Sequence, residues 1–162
     1  MPGNVIELNK KYRVWCENKQ EWEKDEVFLS QHGTLFHRDR VGELFLLKPD
    51  SHKVSFFTGL HDATTWDELT EDERAEWTRS GNMPSEWKGK PIYEGDRIKL
   101  LYNWHEQYCY EQYWTVKFTK GCFYLFHGDR LSMLYNFDAF EMKIIGNIWE
   151  NHELLESKNG EY

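Results

Sequence analysis

Cysteine is scarce in this sequence, and the patterns missing around it exclude several classes of protein. The 162 residues contain three cysteines, Cys16, Cys109 and Cys122. An odd number without a CxxC pair indicates neither a disulfide scaffold nor a zinc ribbon. The seven histidines form no HExxH motif and no paired ligand spacing. We therefore expect no metal site and no cofactor, with a metal site assembled from distant loops as the alternative.

Long apolar runs and the common catalytic motifs are missing as well. No stretch approaches the roughly 20 apolar residues of a membrane helix. The first ten residues lack the basic and then apolar layout of a signal peptide. Because no GxSxG, Walker A or GxGxxG pattern occurs, hydrolase, nucleotide and dinucleotide sites lack support. We expect a cytoplasmic protein without membrane contact, and one that is not an enzyme.

Positive charge is in short supply. The chain has 28 acidic and 20 basic residues, for a net charge of -8. Residues 61–90 alone contain eight acidic residues against four basic ones. Half of the excess therefore lies in one short segment. Since an acidic chain repels phosphate backbones, nucleic acid is disfavoured as a partner, although a local basic patch is not excluded.

Short apolar stretches separated by turn signals are abundant, and they predict a mainly β protein. In the first third, strands are predicted at 11–16, 27–30, 34–37 and 44–47, with Gly33 in a hairpin turn. Five further strands suit a small SH3-type barrel. They are predicted at 54–57, 97–102, 113–118, 122–126 and 142–149.

One segment has a helical pattern, at 63–77. Thr65 with Glu68, and Thr70 with Glu73, each fit the capping box, in which a hydroxyl and a carboxylate satisfy free backbone amides reciprocally. The predicted organisation is an N-terminal β segment at 1–53, a barrel at 54–155 interrupted by a helical insertion at 62–88, and a disordered tail at 156–162. A short helical turn is predicted at 152–155, capped by Asn151.

Two segments combine glycine with polar or acidic residues, as a site would. The first is Glu94-Gly95-Asp96, where a strand-entry turn is the favoured interpretation over a metal or acid/base pair. The second is Gly146-Asn147, where a bulge in the last strand is favoured over close approach of a ligand. Both segments are therefore interpreted as markers of the fold.

Four stretches, taken in order, resemble the YopX-like family of phage and prophage proteins. They are residues 12–15 with 27–36, the "TGL-x-D" at 57–62, the "IYEGD" at 90–96, and the segment at 144–155, which is similar to "IGNIYENPELL". This sequence has His152 where proline commonly opens the final turn, and Trp149 where tyrosine is usual. The resemblance implies an SH3-like barrel, a phage accessory gene and self-association. It implies no biochemical role.

The most suggestive cluster for binding is the aromatic run at 102–114, which holds six aromatic residues. Exposed Tyr and Trp side chains form protein-binding hot spots or stack on single-stranded nucleic acid. Core packing with self-association is the alternative, and few basic residues interleave with these rings. Together with the acidic insertion, the run supplies the candidate binding residues. These are Tyr102, Trp104, Tyr108, Tyr110, Tyr113, Trp66, Glu73 and Trp77.

The sequence thus predicts a non-enzymatic, oligomeric phage or prophage accessory protein that acts through protein–protein contacts. A host protein is a candidate partner. The acidic insertion of this chain would bind a basic surface on that host protein. The alternative is a nucleic-acid-binding small barrel. A third hypothesis, an unrecognised hydrolase, would require polar side chains that converge in one deep pocket. No catalytic residue is predicted.

Overall fold

The computed structural model describes residues 11–24, 26–101 and 113–151, and it is mainly β, as predicted. The predicted turn at 152–155, the tail at 156–162 and most of the aromatic run lie outside these residues. The chain divides into two compact units, with the boundary between Phe56 and Phe57. One strand, β6 (His52–His61), continues from the first unit into the second.

The N-terminal unit contains two small antiparallel arrangements of strands. In the first, β1 (Tyr12–Cys16) pairs with β2 (Glu21–Trp22) and with the opening residues of β6. The second is a three-stranded sheet of β3 (Glu26–Leu29), β4 (Leu35–Arg38) and β5 (Leu44–Leu46). The predicted hairpin between β3 and β4 is confirmed, with Gly33 at a φ of +80°.

The second unit is built on a curled, five-stranded half-barrel sheet with the strand order β11-β10-β9-β8-β12. Neighbouring strands are antiparallel. The strands are β8 (Asp96–Leu100), β9 (Tyr113–Thr119), β10 (Cys122–His127), β11 (Arg130–Met133) and β12 (Met142–Asn147). A further strand, β7 (Pro91–Tyr93), pairs with the end of β6.

Apolar side chains from the inner face of this sheet form the core of the second unit. The strand alternation places every second residue of β8, β9 and β10 on that face. The fully buried members are Ile92, Ile98, Leu100, Trp114, Val116, Leu125, Leu134 and Met142. Burial of these side chains stabilises the unit by roughly 1.5–3 kcal/mol for each large apolar residue.

The membership of the sheet differs from the prediction in one strand. The fifth strand is β11 and not the segment 54–57, which belongs to β6 and pairs with β1 and β7 instead. The predicted strand-entry turn is present, with Gly95 at a φ of +86° and Asp96 accepting a hydrogen bond from the Tyr93 amide at 2.8 Å. The predicted bulge is also present, as a register shift between Ile144 and Gly146.

The predicted helical segment is divided into a 3-10 turn at Trp66–Glu68 and one α-helix, α1 (Glu71–Arg79). The backbone is extended at Leu69 and Thr70 between them. Thr70 must be extended to cap α1, so the helix cannot run through it. Further 3-10 turns lie at Pro84–Glu86, Leu134–Asn136 and Ala139–Glu141.

Candidate functional site

The insertion leaves and rejoins the second unit at a buried aspartate, Asp62, which is 2% exposed. Its carboxylate accepts hydrogen bonds from the amides of Thr64 (2.9 Å), Lys90 (2.8 Å) and Ile144 (2.9 Å). Gly89 lies against the same residue, with a φ of +105°, and a Cβ there would fall on the Asp62 carbonyl oxygen. Glycine is required at this position because a side chain would be both strained and obstructed. These contacts join the two ends of the insertion to β12.

Both predicted capping boxes are present in the insertion. Thr70 donates its amide to the Glu73 carboxylate at 2.9 Å, and its hydroxyl accepts from the Glu73 amide at 3.2 Å. At the preceding 3-10 turn, the Thr65 amide donates to Glu68 at 2.8 Å. Each box satisfies amide groups that a helix start would otherwise leave free.

Three tryptophans hold the insertion together. The rings of Trp77 and Trp87 meet edge to face with centroids 5.0 Å apart, and Trp66 contacts Trp87 at 6.4 Å. The Trp77 indole donates to the Met83 carbonyl, and the Trp87 indole donates to the Thr64 carbonyl, both at 2.8 Å. The predicted binding residues Trp66 and Trp77 are therefore half-buried packing residues in this chain. Their contact with a partner stays a prediction.

Two ion pairs attach the insertion to the sheet. Lys90 donates to Glu73, the third predicted binding residue of this segment, at 2.7 Å, and Lys143 of β12 pairs with Glu68. Burial raises the pKa of Glu73, but the hydrogen bonds from Lys90 and Thr70 outweigh it and leave the pKa lowered. The hydrogen bond from Lys143, aided by the Thr65 amide, lowers the pKa of Glu68 to about 2. Both carboxylates are thus committed to the chain itself.

Three carboxylates of α1 face solvent. Glu71, Asp72 and Glu76 are exposed, and Asp72 and Glu76, four residues apart, lie on one face of the helix. Within the described ranges, no ion pair engages any of the three. We refer to Glu71, Asp72 and Glu76 as the acidic strip.

The outer face of the half-barrel carries an apolar surface. Cross-strand pairing of Tyr124 with Met133, and of Phe126 with Leu131, places all four side chains on that face. Leu131 is 57% exposed and Met133 is 42% exposed. Lys117, opposite Tyr124 on β9, sets its ammonium 5.0 Å from the centre of the Phe126 ring. We refer to Tyr124, Phe126, Leu131 and Met133 as the β11 patch.

The structure describes only the end of the predicted aromatic run. Tyr102, Trp104, Tyr108 and Tyr110 lie outside the described residues. Tyr113 opens β9, is half-buried, and its carbonyl lies 2.9 Å from Nδ1 of His127. The run therefore ends in strand β9, which pairs with strand β10 of the β11 patch.

Sequence analysis predicts no strand between residues 126 and 142, and it therefore misses the β11 patch. A short sequence pattern could have indicated this strand. Gly128-Asp129 is a two-residue turn, with His127 paired to Arg130 across it, and such turns connect hairpin strands. Leu131 and Met133 then alternate with buried Ser132.

The N-terminal unit contains possible metal ligands. Among the described residues, one group of three possible ligands comes together, Cys16, Glu23 and His52 of the N-terminal unit. Sequence reasoning missed it because the three residues have no ligand spacing along the chain. Within the same described ranges, no helix has the length and apolar character needed to cross a bilayer.

Comparison with known proteins supports the fold. Residues 86–156 match the family model described as YopX protein. The protein yopX from Bacillus subtilis is similar in structure, with a TM-score of 0.53 and 18% identity, over 91% of this chain and 99% of that one. The protein EF1440 from Enterococcus faecalis gives a TM-score of 0.50 and 18% identity, over 90% of this chain and 97% of that one. No curated protein matches significantly.

Proposed function

Since the chain is a YopX-like protein, we propose that it works without catalysis, as a binding module whose first partner is a second copy of itself. The observation that carries this proposal is the β11 patch, where Leu131 and Met133 stand about half exposed on the outer face of a sheet. Exposed apolar patches with polar rims are typical of interaction sites. A protein contact would bury these side chains and release the water around them.

The charges on the chain favour a second copy as the occupant. Lys117 and Lys99 lie on the same outer face as the patch, and the acidic strip supplies matching carboxylates. The insertion also exposes Met83, an apolar side chain suited to the patch. Within one chain, Lys143 of that face already pairs with Glu68 of the insertion. Complementary charges of this kind fix the orientation of two partners.

If each copy makes the same contact with the other, the assembly is a closed dimer. If the acidic strip of each copy lies on the β11 patch of the other, the same contact forms twice around a two-fold axis. Such closed, isologous dimers are the commonest oligomers. The proposal therefore predicts a dimer and no larger polymer.

A charge-swap experiment tests the dimer. Sedimentation equilibrium should show a dimer for the original chain. Lys117→Glu, or Asp72→Lys with Glu76→Lys, should each weaken self-association by at least about tenfold, because like charges then face each other. An equimolar mixture of the two variants should restore the dimer, since both contacts are again complementary.

The controls distinguish charge matching from general damage. Arg40→Glu makes the same charge change as Lys117→Glu at an exposed position of the N-terminal unit, and it should leave the dimer unchanged. Leu131→Ser with Met133→Ser should weaken the dimer without altering the charge. A monomeric original chain, or a mixture that fails to reassociate, would overturn the proposal.

We further propose that this module serves a phage or prophage as an accessory protein, with a host protein of basic surface as its second partner. The family resemblance and the acidic strip support this role. Because the dimer contact uses the same strip, the host protein would compete with the second copy. Affinity capture with the monomeric Lys117→Glu chain should retain a host protein that the equally monomeric Asp72→Lys, Glu76→Lys variant releases. Retention of the same proteins by both chains would argue against it.

A further inference from the structure

Three side chains with metal-binding chemistry meet in the N-terminal unit. Cys16 ends β1 and lies directly opposite His52 of β6, while Glu23 follows β2. The sulfur, carboxylate oxygen and ring nitrogen all lie within 4.8 Å of one another. They line a cavity of about 230 Å³, whose other lining residues are Asn18, Lys19, His37 and Leu47.

Local hydrogen bonds hold the two turns that carry these side chains. The turn after β1 is closed by the Gln20 amide, which donates to the Cys16 carbonyl at 2.9 Å. The Glu17 amide donates to the Ser51 carbonyl at 2.8 Å, which ties this turn to the one before β6. The Glu23 amide donates to the Val14 carbonyl at 2.8 Å. The ligand geometry is therefore set by backbone contacts before any ion binds.

The orientation of His52 is the arrangement that a metal ligand adopts. Its Nδ1 lies 3.0 Å from the Lys48 carbonyl oxygen. The Ser51 hydroxyl oxygen lies 3.1 Å from the same nitrogen. In the tautomer that donates from Nδ1 to the Lys48 carbonyl, Nε2 is left without a proton. Nε2 then points at Glu23, 3.3 Å from its Oε1. Metal-bound histidines are held in this way, with the second ring nitrogen donating to a carbonyl or carboxylate.

The surroundings of this contact call for a cation. The side chains of His52 and Glu23 are only 10% and 6% exposed. In that tautomer Nε2 and the carboxylate oxygen both present lone pairs, so a positive ion between them would turn the contact into an attraction. Lys19 supplies charge from one side, 3.2 Å from Oε1 of Glu23. Its side chain is largely exposed, so it can leave the carboxylate when another cation takes its place.

The distance between the His52 and Glu23 ligand atoms suits a tetrahedral ion. With nitrogen and oxygen ligands at about 2.0–2.1 Å from zinc, tetrahedral angles separate the two ligand atoms by about 3.3 Å. The observed separation of Nε2 from Oε1 is 3.3 Å. A sulfur, nitrogen and oxygen set favours Zn²⁺ over Mg²⁺ and Ca²⁺, which prefer oxygen ligands alone.

The same three side chains could instead suggest a cysteine nucleophile with a histidine base. That chemistry needs one ring nitrogen turned to the sulfur and the other held by an orienting group. Here Nδ1 is bonded to the Lys48 carbonyl, and Nε2 faces Glu23. No nitrogen of His52 is thereby assigned to activate Cys16, so the geometry favours a metal ligand set over a nucleophile.

We propose that Cys16, Glu23 and His52 bind one divalent cation of the zinc class, with the fourth coordination position turned to the cavity. Water or His37, which lines the same cavity, would complete the coordination. The site revises the expectation of no metal, which rested on ligand spacing along the chain. Strand pairing, and not sequence proximity, brings these ligands together.

Cobalt is the sharpest probe, because Co²⁺ bound by a thiolate gives a near-ultraviolet charge-transfer band. The full chain with Cys109→Ser and Cys122→Ser keeps Cys16 as its one cysteine. Titration with Co²⁺ should produce the thiolate band at one equivalent, and Zn²⁺ should abolish it by displacement. His52→Gln and Glu23→Gln in this background should weaken Zn²⁺ binding by more than about 100-fold, which exceeds the usual loss when a residue that only orients a metal ligand is changed.

Two further variants make the outcomes decisive. Lys19→Met removes the competing cation and should retain or strengthen Zn²⁺ binding. His61→Gln changes a histidine outside the cluster and should leave Zn²⁺ binding unchanged. Absence of the thiolate band in the folded background chain would overturn the proposal. Zn²⁺ binding that is unaffected by His52→Gln would do the same.

Discussion

Asp62 shows how much of the second unit depends on one side chain. Its two carboxylate oxygens accept from three backbone amides and the Thr64 hydroxyl, and these amides belong to three different parts of the unit. The "TGL-x-D" stretch therefore has a physical explanation. Thr58 of the same stretch donates to the Ile92 carbonyl at 2.8 Å and ties β6 to β7. Through these contacts the motif joins the two ends of the insertion.

Removal of the Asp62 carboxylate should destabilise the chain strongly. Asp62→Ala leaves the buried amides of Thr64, Lys90 and Ile144 without an acceptor, and each unsatisfied group costs about 1–3 kcal/mol. We expect a loss of about 3 kcal/mol or more in the free energy of unfolding, read from urea denaturation at constant m-value. Asp67→Ala, at an exposed position of the same segment, should change stability by less than about 0.5 kcal/mol. Equal effects of the two substitutions would contradict this account.

The insertion is stabilised by contacts within itself and is attached to the rest of the unit by others. Its capping boxes and tryptophan contacts are internal, whereas Asp62, Lys90 and Lys143 attach it to the rest of the unit. Exposed ion pairs contribute little in general. The Lys143 pair nevertheless determines the protonation of Glu68, since it lowers the pKa of that carboxyl to about 2.

The attachment of the insertion through Glu68 should therefore depend on pH. The pKa of Glu68 falls from an ordinary value of 4.5 to about 2 on folding. A lowered folded pKa contributes stability that is complete above the unfolded value and is lost as the pH falls towards the folded value. Carboxyl chemical shifts should thus report titration of Glu68 near pH 2. In Lys143→Met the titration should move upward towards 4.5, and an unchanged titration would show that Lys143 is not the cause.

Features set by local sequence could be predicted, and features set by distant pairing could not. The capping boxes at Thr65 and Thr70 need residues only three positions apart, so they were correctly identified. The bulge at Gly146 was also identified, because glycine within a strand signals one. Strand β11 was missed because it has only four residues and its one buried residue, Ser132, is polar. The β11 patch was lost with the strand.

For the whole molecule, too, some properties could be predicted from the sequence, whereas others depend on the folded geometry. The pattern of short apolar stretches predicted a mainly β chain, which the structure confirms, and residues 86–156 match the YopX family model. Composition could not predict that Cys16, Glu23 and His52 converge, because cross-strand pairing unites residues far apart in sequence. The structure also shows where part of the acidic excess lies, because it forms the solvent-facing strip on α1.

The distribution of charge decides between a protein and a nucleic acid as partner. The net charge is -8, and Lys99 and Lys117 of the outer face are few against the acidic strip. Nucleic-acid affinity grows at low salt because bound counterions are released. Fluorescence anisotropy with single-stranded and duplex DNA should therefore detect no binding even at 50 mM salt, a condition that favours phosphate contacts. The charge-neutralised variant Asp72→Asn with Glu76→Gln serves as the matched control, and it should also fail to bind. Binding by the original chain that weakens as salt rises would refute the protein-partner proposal in favour of the nucleic-acid alternative.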